Sequence, residues 1–168
     1  LLVRQDALPT GWDKPLVRLV GSSSVVDTLS IHDRHNPLVW DASRISIERA
    51  CRSAGIMPRD VDFFEYHDAT SLHAALSLEA GGFASQGQGW MLAKEDVIGL
   101  QGQIPVATFG GLKARGFPVG AAGVYQAVEA AIQLRGEAGP NQVEGAKLGM
   151  IQSLGGMGAT AVTHVLGV

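Results

Sequence analysis

The sequence predicts an α/β domain: a mixed, mostly parallel sheet with helices on both faces, closed by a C-terminal antiparallel hairpin. Three observations predict it. Extended and helical patterns alternate along the chain, the last two extended runs are separated only by Gly155-Gly156-Met157-Gly158, and apolar residues fill 46% of 168 positions, enough for one buried core.

The elements follow in order. Pro15 to Val20 alternates as a strand does, and Gly21 with the serines after it reads as its end. Residues 22–37 are polar and irregular. Ala42, Ile45, Ala50 and Ala54 recur at helical spacing, which predicts a helix over 41–54 stopped by Gly55 with Pro58 beyond. Val61 to Tyr66 is a short buried strand, and Ser71 to Glu79 is a helix closed by Gly81-Gly82. Residues 87–102 read as loop and Ile104-Pro105-Val106 as a short extended piece. A helix spans 120–134 with Val124, Val128, Ala131 and Ile132 on one side, and the hairpin joins 146–154 to 159–166.

Composition excludes several functions. A net charge of −3 with scattered Lys and Arg leaves no footprint for nucleic acid or anionic lipid. Cys51 is the single cysteine, so no disulfide framework or thiol metal cluster is expected. No apolar stretch approaches a membrane span and no signal peptide pattern stands at the start, so a cytoplasmic location is expected. The 168 residues read as one domain, and a start at Leu1-Leu2-Val3 without Met reads as a piece of something longer.

Ligands of such sheets gather at loops beyond the strand ends. Here those loops are "EYHDATS" (65–71), "GGLKARGFPVGAAG" (110–123) and "SLGGMGA" (153–159). Together with "QLRGEAG" (133–139) they resemble the C-terminal half of the thiolase superfamily, in its sterol-carrier-protein or archaeal branch that includes lipid-transfer proteins and acetyl-CoA acetyltransferases. The resemblance runs in order over the whole chain and implies a thiolase-like half whose N-terminal counterpart is absent from this chain. Family chemistry is Claisen condensation or thiolysis of acyl-CoA by two cysteines and a histidine.

At the matching positions the sequence departs from that pattern. The family triplet Gly-His-Pro is Gly116-Phe117-Pro118, and a phenyl ring neither accepts a proton nor donates a hydrogen bond. The branch's His-Asp-Cys-Phe keeps His67 and Asp68 but has Ala69 for the thiol. Ala107 and Phe109 stand where asparagine and serine are expected before Gly110-Gly111. The resemblance therefore implies a domain that binds an acyl-CoA or lipid thioester, with no other cofactor and no metal, and that does not perform thiolysis alone. It implies a place in an acyltransferase or CoA-thioester retro-aldolase assembly, completed by a second copy, by a thiolase N-terminal half or by a zinc-ribbon/OB-fold partner. The rival reading is a non-catalytic assembly or regulatory subunit. In either case an apolar face is expected on the surface as the partner-binding or self-associating side.

The expected catalytic residues are His67 and Asp68, with Asp68 orienting the imidazole. Gly110, Gly111, Gly116, Phe117, Pro118, Gly155 and Gly156 form the expected substrate-binding set. Phe117 reads equally as the floor of an acyl pocket or as packing over a helix start. Tyr66 is assigned to the core and Cys51 to a structural thiol; His32 and His35, three apart without a third ligand, are assigned to a solvated loop. Lys113 and Arg115 read as ordinary surface charges, and His73 and His164 carry no argument.

Overall fold

The computed structural model describes residues 2–168; Leu1, the first residue of the expected domain, lies outside them. Strand β1 is Arg18–Val26, and it runs through Gly21 instead of stopping there. The register shifts between Leu19 and Gly21, so the glycine sits at a bulge in the ladder. A Cβ at Gly21 would strike the Ala50 carbonyl, so this residue allows the next helix to approach and does not end the strand. Ser22 to Val26 continue the ladder against Thr160 to His164. The expected irregular stretch therefore begins after Val26, because backbone pairing overrides the weak strand preference of three serines.

Helix α1, Asp41–Ala54, has the expected bounds, ended by Gly55 at φ 73° with Gly55 N and Ile56 N donating to Arg52 O and Cys51 O. Its buried side is Ala42, Ser43, Ser46, Ile47, Ala50 and Cys51, mostly small residues that bring it close onto the sheet. Strand β2 is Phe63–Glu65, helix α2 is Ser71–Ala80, and a short helix α3, Met91–Lys94, interrupts the stretch expected to be loop. Val106 makes a parallel bridge to Phe64, which places the expected short extended piece at the sheet edge. Helix α4 is Gly111–Arg115, and a 3-10 turn at Val119–Ala121 leads into helix α5, Ala122–Leu134. Strands β3, Leu148–Gly155, and β4, Thr160–Gly167, form the closing hairpin.

The sheet order is β1-β4-β3-β2. Only β4 runs against the others, as the mostly parallel reading expects for strand direction. Because β4 lies between β1 and β3, two of the three ladders are nevertheless antiparallel, and only β2 pairs β3 in parallel. Helices cover both faces. Phe64, Met150 and Val165 pack with Ile47, Ala50 and Cys51 of α1 and Leu78 of α2, while Phe63, Ile151 and Leu166 pack with Ala130 and Leu134 of α5.

Beneath α1 a buried polar network closes on itself. Ser43 Oγ donates to Gln152 Oε1 at 2.6 Å, Gln152 Nε2 lies 3.1 Å from Ser43 O and 2.9 Å from Thr163 Oγ1, and Ser46 Oγ meets Thr163 Oγ1 at 2.7 Å. Helix α5 is turned differently from what its apolar spacing suggests. Val124 and Val128 are 65% and 50% exposed, and the side toward the sheet carries Ala122, Gln126, Ala130, Gln133 and Leu134. The two glutamines take core positions because they satisfy backbone that leaves the sheet. Gln126 Nε2 donates to Tyr66 O and Gln152 O, and Gln133 bridges Thr108 Oγ1, Asn141 O and Val143 N.

Candidate functional site

Past β2 the chain crosses the end of the sheet, and its side chains hold the 108–117 loop at successive points. Thr108 donates to Glu65 Oε1 from both N (2.8 Å) and Oγ1 (2.6 Å). Leu112 N donates to Asp68 Oδ1 at 2.7 Å, and Lys113 Nζ donates to Ser71 Oγ at 3.0 Å. Arg115 pairs with Glu129 and lays its guanidinium 5.4 Å over the Tyr125 ring. These anchors deliver Phe117 edge-on to His67, with ring centroids 4.9 Å apart at 90°. The 153–158 loop closes the third side. Leu154 N donates to His67 Nδ1 at 3.4 Å, and Arg34 ties the turn to the loop after β1 by donating to Met157 O (3.0 Å) and Thr28 O (2.9 Å). The three loops that the sequence singles out do meet.

Asp68 does not orient His67. Its carboxylate is engaged by Leu112 N, and a Cβ at Gly111, where φ is +61°, would collide with it, so Asp68 fixes the start of α4. Gly110 caps the same helix in the left-handed region, and Gly116 at φ 88° and Pro118 flank Phe117 in the turn toward α5. Gly155 ends β3 and Gly156 follows in the turn held by Arg34. Lys113 and Arg115 are both engaged within the domain, Arg115 in a half-buried pair, which separates it from an ordinary surface charge.

Burial sets the electrostatics. It drives the His67 imidazole down to about 4, with the neighbouring His73 adding to the effect and Asp68 opposing it, so His67 is neutral near pH 7. Burial lifts the Glu65 carboxyl to about 7 despite the two Thr108 hydrogen bonds that favour its charged form. Glu129 is raised by burial against the opposing pull of Arg115, and the buried Tyr66 phenol is raised as well. Burial also pushes the Cys51 thiol up to about 11, an inert group in the α1 core.

Sequence reasoning missed the wall behind His67. His73 lies 5.6 Å from it, centroid to centroid, and Trp40 meets His73 edge-on at 5.0 Å. The available signal was Thr70, a helix N-cap residue whose hydroxyl accepts from the N–H of the residue three positions on, His73. Among the described residues no group of three His, Cys, Asp or Glu is placed to hold a metal ion, and no helix is long and apolar enough to cross a membrane.

The fold and the meeting of these three loops define a thiolase-like α/β domain. The chain belongs to the thiolase C-terminal domain-like family, which matches residues 23–168. It is 41% identical over 149 residues to the acetyl-CoA acetyltransferase of Methanothermobacter thermautotrophicus, an alignment covering 89% of this chain and 39% of that protein. It is 35% identical over 156 residues to sterol carrier protein 2 of Rattus norvegicus, covering 91% of this chain and 28% of the relative. The chain thus spans about two fifths or less of these relatives. Two solved structures share the fold. The Ltp2-ChsH2(DUF35) aldolase matches with a TM-score of 0.82 at 17% identity over 93% of this chain and 40% of that one. A monomeric SCP2-thiolase like protein type 1 from Mycobacterium smegmatis matches with a TM-score of 0.67 at 18% identity, over 90% and 29%.

Proposed function

We propose that the domain binds an acyl-CoA or related lipid thioester without performing thiolysis itself, and lends His67 and the Phe117 loop to a site completed by another chain or chain segment. The observation that carries this reading is the Phe117 ring set edge-on against a neutral His67. Where the family resemblance leads one to expect a second imidazole, an apolar edge shields the first. A neutral imidazole is poorly suited to shuttling protons at pH 7 and well suited to polarising a carbonyl through an N–H donor. Ala69 and Phe117 stand where the thiol and activating base would be.

A retro-aldolase assembly fits these losses better than acyl transfer, and the likeness in fold to the Ltp2-ChsH2(DUF35) aldolase supports that direction. The completing partner is a thiolase-type N-terminal half, a second copy or a zinc-ribbon/OB-fold subunit. Support for a partner comes from the outward face of α5, where Val124, Tyr125 and Val128 are each about half exposed or more beside Val119 at 74%. The reading includes no other cofactor and no metal, and places the protein in the cytoplasm.

The test is thermal unfolding with acetyl-CoA and longer acyl-CoAs. At 100 times the dissociation constant a bound thioester adds about 2.7 kcal/mol of stability. An unmoved midpoint at millimolar ligand favours the rival, a non-catalytic assembly subunit. Cleavage of acetoacetyl-CoA by this chain alone would overturn the assignment of Phe117.

A further inference from the structure

His73 enters the site through its helix cap. The Thr70 hydroxyl accepts from His73 N at 3.1 Å and meets His73 Nδ1 at 2.7 Å. While accepting from the backbone N–H the hydroxyl still has its one proton to offer Nδ1, and in that arrangement the ring's own proton sits on Nε2. His67 reaches the same tautomer by another route, because its Nδ1 accepts from Leu154 N. Two neutral rings therefore stand 5.6 Å apart, inclined at 48°, each with Nδ1 occupied. Both residues are buried, at 3% and 7% exposure, and no side-chain or backbone hydrogen bond to either Nε2 is found among the described residues.

We propose that His67 and His73 act together as a pair of Nε2–H donors to one uncharged oxygen, the thioester carbonyl of the bound ligand, which makes His73 a second ligand-contacting residue. The proposal rests on the thioester reading above. A carbonyl oxygen has two lone pairs to take two N–H donors, and the two rings are immediate neighbours, with centroids 5.6 Å apart. Charge argues against an anion at this position. The charged group acting on His67 is Asp68, a carboxylate already committed to Leu112 N, and positive charge on both imidazoles at once would be self-repelling. Burial holds His73 below the ordinary histidine range as well. Trp40 behind His73 and Phe117 beside His67 give the pair apolar edges that exclude water.

Two measurements on the whole protein test this. Nitrogen-15 NMR of the imidazoles should show both rings neutral with the proton on Nε2 at pH 7, His73 titrating below its ordinary value of about 6.5. An Nδ1–H tautomer or ordinary titration at His73 overturns the pair. The second measurement compares binding of acetyl-CoA with S-ethyl-CoA, a thioether lacking the carbonyl. The unaltered protein should prefer acetyl-CoA by about tenfold, and His73→Phe, which keeps a ring against Trp40 and leaves only the His67 donor, should cut that preference to about threefold or less. Equal binding of both ligands by the unaltered protein, or an undiminished preference in His73→Phe, overturns the two-donor assignment alone. Binding of neither overturns the thioester reading, and the proposal with it.

Discussion

The two faces of the sheet each bury a polar network, and the networks differ in whether they close. Under α1, the Gln152, Ser43, Ser46 and Thr163 side chains satisfy one another, and none of their polar atoms is left unpaired. Under α5, Gln126 Oε1, Glu129 Oε2 and Arg115 Nε are buried without partners. Unpaired buried atoms cost about 1–3 kcal/mol each, so the second network weakens the domain where the first specifies it. The closed network lies under a helix that only packs. The open one lies under the helix with the exposed apolar face, next to the loop that carries Phe117. Groups that hold the domain together are thus separated from groups it leaves incomplete near its candidate site.

The contrast breaks most readily at Gln152. Gln152→Leu strands the Ser43 hydroxyl and removes one partner each from Ser46 and Thr163, which keep each other, and should lower unfolding stability by about 3 kcal/mol in urea titration; a loss under about 1 kcal/mol would mean that the network does not specify α1 packing.

The next effect is in pH dependence. Glu65 is protonated more readily folded than unfolded, so its contribution is present at low pH and is lost as pH rises from about 4.5 to about 7. His67 has the opposite sign: its contribution is present above about 6.5 and is lost as pH falls toward about 4. In the unaltered protein the two slopes oppose each other. Glu65→Gln keeps the acceptor for Thr108 and removes one slope, so stability should then climb between pH 4.5 and 6.5 and gain about 1–3 kcal/mol at pH 8. A pH profile identical to the parent's would refute the assignment of Glu65.

On the open side, replacing both charged partners at once, Arg115→Met with Glu129→Leu, should change stability by no more than about 1 kcal/mol in either direction, because the pair is imperfectly satisfied. A double-variant loss as large as that of Gln152→Leu would erase the distinction between the faces. Smallest of all, Val124→Ser with Val128→Ser should stay within about 0.5 kcal/mol in thermal unfolding of the isolated chain while reducing any self-association seen by light scattering.

Much of the fold was legible because its signals are local. Asp41–Ala54 has helical spacing and a glycine whose αL conformation ends it, and nothing distant competes. Gly21 misleads because the reason for a glycine there, the Ala50 carbonyl, lies on another element. In α5 the apolar stripe pointed to the wrong side, since Gln126 and Gln133 are held inward by backbone groups that no periodicity reveals. For the site, the resemblance to the family's motifs brought His67 and Phe117 to notice, but their contact depends on anchors at Glu65, Asp68 and Ser71 spread along another segment. Asp68 beside His67 in sequence suggested a partnership that the fold gives to Leu112 instead.

The position of β4 between β1 and β3 also sets an order in time. Arg18 pairs with Gly167 and Val26 with Thr160, so the first strand has no neighbour in the sheet until residues 160–167 have left the ribosome. Until then β1 remains an unpaired edge and α1 lacks part of the surface it covers, so both wait on a contact more than 130 residues away in the chain.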